Sequence, residues 1–243
     1  MASEHIVKAF DEQLNHLDHQ IAEMGGLAEH QLAEAIAALV RRDSDKAAAV
    51  ARGDRRIDAL ETQVEHDAVA LIALRQPMGS DLRAVITALK TSAIIERIGD
   101  YAKNVAKRTG ALAEMPPMPP AFTVARLGHL AQAMIKDVLD AYVARDPEKA
   151  ELVRRRDQEV DALYTSIFRE LLTYMMEDPR NITACTHLLF VAKNIERIGD
   201  HATNIAENVV YLVLGTIPAD ERPKGDASSF TVLTPSGEEV KRK

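Results

Sequence analysis

The chain has 243 residues, 47% hydrophobic but only 4% aromatic, with no Trp, one Cys and a formal net charge of −7. That length holds one large domain or two of about 100–120 residues, and cores of Ala, Leu, Ile and Val without large aromatics suit closely packed helices better than sheets. The acidic balance, with no basic stripe interleaved with aromatics, argues against nucleic acid as a partner. A lone Cys185 excludes an internal disulfide and any Cys-based metal site, and fits a reducing compartment. The N-terminal stretch is charged and amphipathic from Glu4 onward, and no apolar run approaches the length of a membrane span. The expectation is a soluble, cytoplasmic protein.

Apolar positions at helical spacing run from 4 to 41, through Phe10, Leu14, Leu17, Ile21, Met24, Leu32, Ile36 and Leu39, with Gly25-Gly26 as a place where the helix softens or bends. Asp43-Ser44-Asp45 reads as a turn and N-cap. A second helix is expected from about 45 to 76. Pro77-Met78-Gly79 breaks it, and Ser80 or Asp81 caps a third helix reaching about 111. Four prolines within Pro116-Pro117-Met118-Pro119-Pro120 exclude helix interior and form a short stiff linker. A fourth helix follows from about 121 to 145, a fifth from Asp146-Pro147 to about 177, and a sixth from Asp178-Pro179 to Leu214-Gly215. The Pro-, Gly- and Ser-rich remainder reads as a mobile tail. The expected layout is all-α, a tandem duplication of two antiparallel three-helix bundles at 1–114 and 121–215, with a flexible tail at 216–243.

The duplication is visible in the residues. Glu96-Arg97-Ile98-Gly99-Asp100 recurs as Glu196-Arg197-Ile198-Gly199-Asp200, and each copy continues to an Asn, at Asn104 and Asn204. At an offset of 103, Arg42-Asp43-Ser44-Asp45-Lys46-Ala47 matches Arg145-Asp146-Pro147-Glu148-Lys149-Ala150, Asp54 matches Asp157, and Asp58 matches Asp161. Each half thus carries an Asp-x-x-x-Asp pair on its second helix and a Glu-x-x-x-Asp-x-x-x-Asn stripe on its third.

Counting from the turns sets their heights. Asp58 lies 20 residues before Met78 and Glu96 lies 17 after Gly79, while Asp161 lies 17 before Asp178 and Glu196 lies 18 after it. With a rise of ~1.5 Å per residue, facing carboxylates on antiparallel helices come within about one turn of each other. Four carboxylates and an Asn amide gathered at one level repel one another, and a hard cation such as Mg²⁺, Mn²⁺, iron or Ca²⁺ relieves that repulsion. Glu34 and its counterpart Asp137 are weaker candidates to join. The competing reading is a solvated acidic face neutralised by Arg55, Arg56, Arg97 and Arg197, which is the ordinary fate of an isolated acidic pair. Nothing else suggests catalysis. Glu-x-x-His is absent, as are a P-loop and a G-x-S-x-G turn, so a binding or regulatory scaffold is expected rather than an enzyme. A metal-storage or metal-dependent hydrolytic protein is the alternative.

These motifs, with the opening Phe10-Asp11-Glu12-Gln13-Leu14 and Met24-Gly25-Gly26-Leu27, closely resemble the PhoU family of bacterial phosphate-uptake regulators over about residues 4–214. The resemblance implies a cytoplasmic accessory protein of the phosphate-specific ABC transporter. Such a protein links the transporter's ATPase subunit to a sensor histidine kinase as a negative regulator of the phosphate-starvation response. It is commonly a homodimer and meets the membrane only through its partners. Some members carry iron or Mg/Mn-type ions on these motifs and others none. By motif match the ligands would be Asp54, Asp58, Glu96, Asp100 and Asn104, with Asp157, Asp161, Glu196, Asp200 and Asn204.

Overall fold

A computed structural model describes residues 2–216 together with Pro218, Asp226 and Ser228, with side chains from Phe10 onward. The rest of the expected tail lies outside the described residues. Among these, seven α-helices and no strand are present: α1 (Ala2–Arg41), α2 (Ser44–Gly53), α3 (Arg55–Arg75), α4 (Ser80–Ala113), α5 (Pro120–Ala144), α6 (Pro147–Glu177) and α7 (Ile182–Leu214). The all-α duplicated-bundle expectation holds. Among the described residues no helix is long and apolar enough to cross a membrane.

Local chemistry explains most of the ends. Asp43 caps α2 by accepting from the Lys46 amide at 2.8 Å, and its counterpart Asp146 caps α6 from the Lys149 amide at 2.9 Å. Arg42 and Arg145, again counterparts, turn the chain out of α1 and α5 in the left-handed region, at φ 57° and 53°. Three details differ from the sequence expectations. The second helix is interrupted at Asp54, where the Ile57 amide bonds the Asp54 carbonyl at 2.8 Å in place of the regular ladder. Gly79, at φ 58°, precedes α4 without a side-chain cap, so Ser80 and Asp81 do not cap it. A 3₁₀ turn at Pro179–Asn181 comes before α7.

In the first bundle α1, α2/α3 and α4 pack together, and in the second α5, α6 and α7. The two bundles meet face to face, α1 along α5 and α4 along α7, so these four helices form a central four-helix core, with α2/α3 packed against α1 and α4 and α6 against α5 and α7. A single run of buried Ala, Val, Ile and Leu fills both bundles and the seam between them. Gly25 allows the seam to close. A Cβ there would overlap the Leu139 side chain, and one at Gly128 would overlap Ile36. Gly25 corresponds to Gly128 and Ile36 to Leu139, so the contact is made twice with roles exchanged. α1 remains one helix through Gly25-Gly26; Gly25 serves close packing rather than a bend, while Gly26 is exposed and faces open space.

Candidate metal centre

The Asp54 side chain, at the break between α2 and α3, is buried, as is that of its counterpart Asp157 on the unbroken α6. Asp54 is 1% exposed, and both of its oxygens are taken: Oδ1 accepts from Gln31 Nε2 at 2.9 Å and Oδ2 from Lys103 Nζ at 2.6 Å. Lys103 also donates to Asp100 Oδ1 at 2.9 Å, and Gln31 to the Gly99 carbonyl at 3.1 Å. A Cβ on Gly99 would stand 3.1 Å from Asp54 Oδ1 and 3.0 Å from Ile57 Cδ1, so the missing side chain lets α4 approach the carboxylate.

Around this bonded core lie Asp58, Glu61 and Glu96, none of which accepts a hydrogen bond from a cation among the described residues. Desolvation, then repulsion from Asp54, raises the Asp58 pKa. Desolvation, then Asp100 and Asp58, raises that of Glu96. Glu61 is raised by desolvation and by Glu65 and Asp58. The structure therefore brings Asp54, Asp58, Glu96 and Asp100 together as the spacing anticipates, and adds Glu61, Gln31 and Lys103. Asn104 is half-buried and makes no hydrogen bond to the carboxylates.

The second set is built on α6 and α7. Asp157 and Asp161 are buried, and a Cβ on Gly199 would stand 3.2 Å from Asp157 Oδ1, repeating the Gly99 contact. Glu196 is 4% exposed; its Oε1 accepts from Lys193 Nζ at 2.8 Å, while Oε2 is buried without a hydrogen-bond partner among the described residues. Burial is the main cause that raises its pKa, with Lys193 opposing and Asp200 and Asp226 reinforcing. Asp226 reaches this set from beyond α7, 3.4 Å from Lys193 Nζ. Asn204 is exposed and, like Asn104, stands apart from the carboxylates.

The other candidates have different partners. Glu34 pairs with Lys46 at 2.7 Å, and Asp137 pairs with Arg156 and, at 3.8 Å, with Lys149, the counterpart of Lys46. Arg56 binds Glu23 at 2.7 Å, and Arg97 and Arg197 are exposed and paired with no carboxylate among the described residues. The neutralising cation of the first set is Lys103, not one of the arginines.

Among the described residues no three carboxylate, imidazole or thiol groups converge closely enough to hold one ion. The first set as it stands does not fit a metal, since the ammonium of Lys103 occupies the space between Asp54 and Asp100. In the second set Lys193 likewise holds Glu196 Oε1, but Oε2 is a buried acceptor without a hydrogen-bond partner among the described residues, so one oxygen donor there suits a hard cation in its chemistry.

A second feature arises where α4 crosses α7. Tyr101 stacks on its counterpart His201 with ring centroids 5.5 Å apart. Arg197 lies over Tyr101 at 5.7 Å, Arg108 over Phe190 at 4.1 Å, and Lys90 over Tyr211 at 5.7 Å. Among the described residues none of Lys90, Arg97, Arg108 and Arg197 is paired with a carboxylate. The sequence shows no basic-aromatic stripe because neither helix carries one alone; the crossing assembles it.

The PhoU domain family matches the chain twice, over residues 21–109 and 124–209. The chain is 53% identical to the phosphate-specific transport system accessory protein PhoU homolog of Rhizobium meliloti (strain 1021), over 94% of this chain and 97% of that one. To the homolog of Caulobacter vibrioides (strain NA1000 / CB15N) it is 54% identical, over 93% and 99%. Among solved structures, PhoU from Pseudomonas aeruginosa superposes with a TM-score of 0.83 at 40% identity, covering 85% of this chain and all of that one. The phosphate transport system regulatory protein PhoU from Streptococcus pneumoniae gives 0.80 at 27% identity, over 86% and 99%.

Proposed function

The chain belongs to the PhoU family, and on that premise we propose that it is a cytoplasmic, non-enzymatic adaptor between the phosphate-specific ABC transporter and a sensor histidine kinase, restraining the phosphate-starvation response when phosphate is plentiful. The observation that carries this reading is the nearly end-to-end match to proteins named as accessory to phosphate-specific transport. Further support comes from the chain's surface. The α4/α7 crossing offers unpaired cations among aromatic rings, a surface suited to an acidic segment of a partner protein. The two family matches support a division into units at 1–114 and 121–215. A homodimer accords with the family.

In this reading Asp157, Asp161, Glu196 and Asp200 hold a hard cation such as Mg²⁺, Mn²⁺ or iron. When bound, such an ion supplies a site for an anionic oxygen, from phosphate or a partner carboxylate. The protein's own part is to keep the carboxylates desolvated and close to Gly199.

Deleting the gene in its source bacterium tests the main claim. Expression of phosphate-starvation genes should become constitutive in phosphate-replete medium and return to repression on complementation. Normal repression in the deletion strain would refute the reading. Capture of the transporter ATPase and a histidine kinase by tagged protein is the biochemical counterpart.

A further inference from the structure

The repeated Glu-Arg-Ile-Gly-Asp-x-x-x-Asn stretch sends its acids to the carboxylate sets, and its arginine and asparagine elsewhere. Arg97 and Asn104 stand seven residues apart, as do Arg197 and Asn204, so each pair shares one helix face. On α4 that face carries Lys90, Arg97, Tyr101, Asn104 and Arg108, at steps of 7, 4, 3 and 4. On α7 it carries Phe190, Arg197, His201, Asn204 and Tyr211, at steps of 7, 4, 3 and 7. These are the steps of a coiled-coil seam, the row of side chains that one helix presents to another. None of these ten side chains is buried. No Asp or Glu stands in either row, the intervening Ile94, Asn194 and Asn208 included, although the chain holds 37 Asp and Glu against 30 Lys and Arg. The two rows are also tied to each other. Arg108 lies over Phe190 at one end, Tyr101 stacks on His201 in the middle, and Lys90 lies over Tyr211 at the other end.

We propose that the α4/α7 crossing is a two-helix seam that receives one acidic, amphipathic α-helix of a partner protein, laid lengthwise between the two rows. From Lys90 to Arg108 the α4 row spans eighteen steps, about 27 Å, the length of a five-turn partner helix. The charges name its chemistry: Arg97 and Arg197 near the centre, with Lys90 and Arg108 toward the ends, call for Asp or Glu at steps of about seven. Between those acids the partner sets apolar side chains, which meet Phe190, Tyr101 and His201. Helicity follows from the backbone. An extended segment needs free amides and carbonyls from a sheet edge, and the middle of a helix has none to give, so the partner must satisfy its own. A second copy set face to face would bring the same cations against each other. The proposal rests on the reading of this crossing as the face for an acidic partner segment, and adds that segment's shape and spacing.

Three labelled synthetic peptides of about 21 residues and identical net charge test it against the full-length chain by fluorescence anisotropy. The first is an Ala-Gln helix with Glu at every seventh position and Leu three or four residues after each. The second has the same composition with Glu and Leu spread evenly around the helix. The third keeps the acidic spacing but is broken by regular prolines. The first is expected to bind at least tenfold more tightly than either of the others. It should lose at least tenfold in Arg97→Ala/Arg197→Ala, which circular dichroism should show to be as helical as wild type, and nothing in Lys107→Ala, off the seam. Equal binding of all three peptides, or preference for the proline-broken one, would overturn the helical seam while leaving an acidic partner segment in place. No binding by any peptide, or binding indifferent to the two arginines, would remove both. Sedimentation velocity covers the other occupant: self-association that disappears in Arg97→Ala/Arg197→Ala would put a second copy in the seam and overturn the proposal.

Discussion

Asp54, Asp58, Glu61, Glu96 and Asp100 share one region of the first bundle with a single ammonium, and the pKa shifts record that imbalance. For Glu96, Asp58 and Glu61 the folded chain holds protons more tightly than the unfolded chain, chiefly because burial disfavours the anion. Between the unfolded pKa and the raised folded one the native state binds more protons, so stability falls as pH rises through that window. Metal-free protein should therefore become more heat-stable as pH is lowered from 7 toward the ordinary carboxylate range. Glu96→Gln should melt higher than wild type at pH 7 in chelator and show a shallower pH dependence. Melting followed by circular dichroism across that range checks both; a Glu96→Gln protein that melts lower at pH 7 would contradict the account.

The same residues show what the sequence could reveal. Asp54, Asp58, Glu96 and Asp100 were legible because they are repeated. Glu61, Gln31 and Lys103 were not, since their counterparts are Tyr164, Met134 and Thr203. A duplication exposes what both copies share and conceals what one copy has added. Asn104 and Asn204 are the opposite case, legible in the sequence yet without a hydrogen bond to the carboxylates among the described residues. They are repeated, but each step of four residues rotates about 40° around a helix, so two steps from Glu96 turn the amide about 80° away.

At the scale of elements, glycines of the same chemistry have opposite consequences. Gly53 ends α2 with nothing within 4 Å of the place a Cβ would occupy, and its φ is not positive. Gly53→Ala should gain most of the helix-propensity difference, ~1 kcal/mol, and raise the melting temperature by about 2–4 °C. Gly128 lies where α5 crosses α1, and a Cβ there would overlap Ile36. Overpacking of this kind typically costs about 1–3 kcal/mol, so Gly128→Ala should lower the melting temperature by several degrees despite its better helix propensity. Scanning calorimetry on the two variants reads both signs at once. Equal shifts would mean that the seam between α1 and α5 yields more readily than its packing indicates. Helical periodicity located these helices apart from the interruption between α2 and α3, but it cannot tell a glycine at a helix break from one that brings two helices together. That distinction depends on a residue far away in the sequence, Ile36 on α1 in the case of Gly128.

At the scale of the whole molecule, the duplication is also a symmetry. Gly25 against Leu139 and Gly128 against Ile36 are one contact made twice with roles exchanged, and Tyr101 stacks on the residue that corresponds to it. These are the marks of an isologous interface, here formed between two halves of one chain. The α4/α7 crossing lies at its centre, and there the repeated Arg97 and Arg197 are exposed on a chain whose net charge is −7. Their side chains play little part in the packing, so Arg97→Glu/Arg197→Glu should leave helicity unchanged and stability within about 1 kcal/mol of wild type. If this face receives an acidic partner, reversing both charges should abolish capture of that partner and leave phosphate-starvation genes expressed in phosphate-replete cells, as in the deletion strain. Lys107→Glu, an exposed charge reversal on α4 away from the aromatic line, is the control and should retain repression. Full repression by the double-arginine variant would remove the α4/α7 crossing as the docking face and direct attention to the flanks formed by α2/α3 and α6.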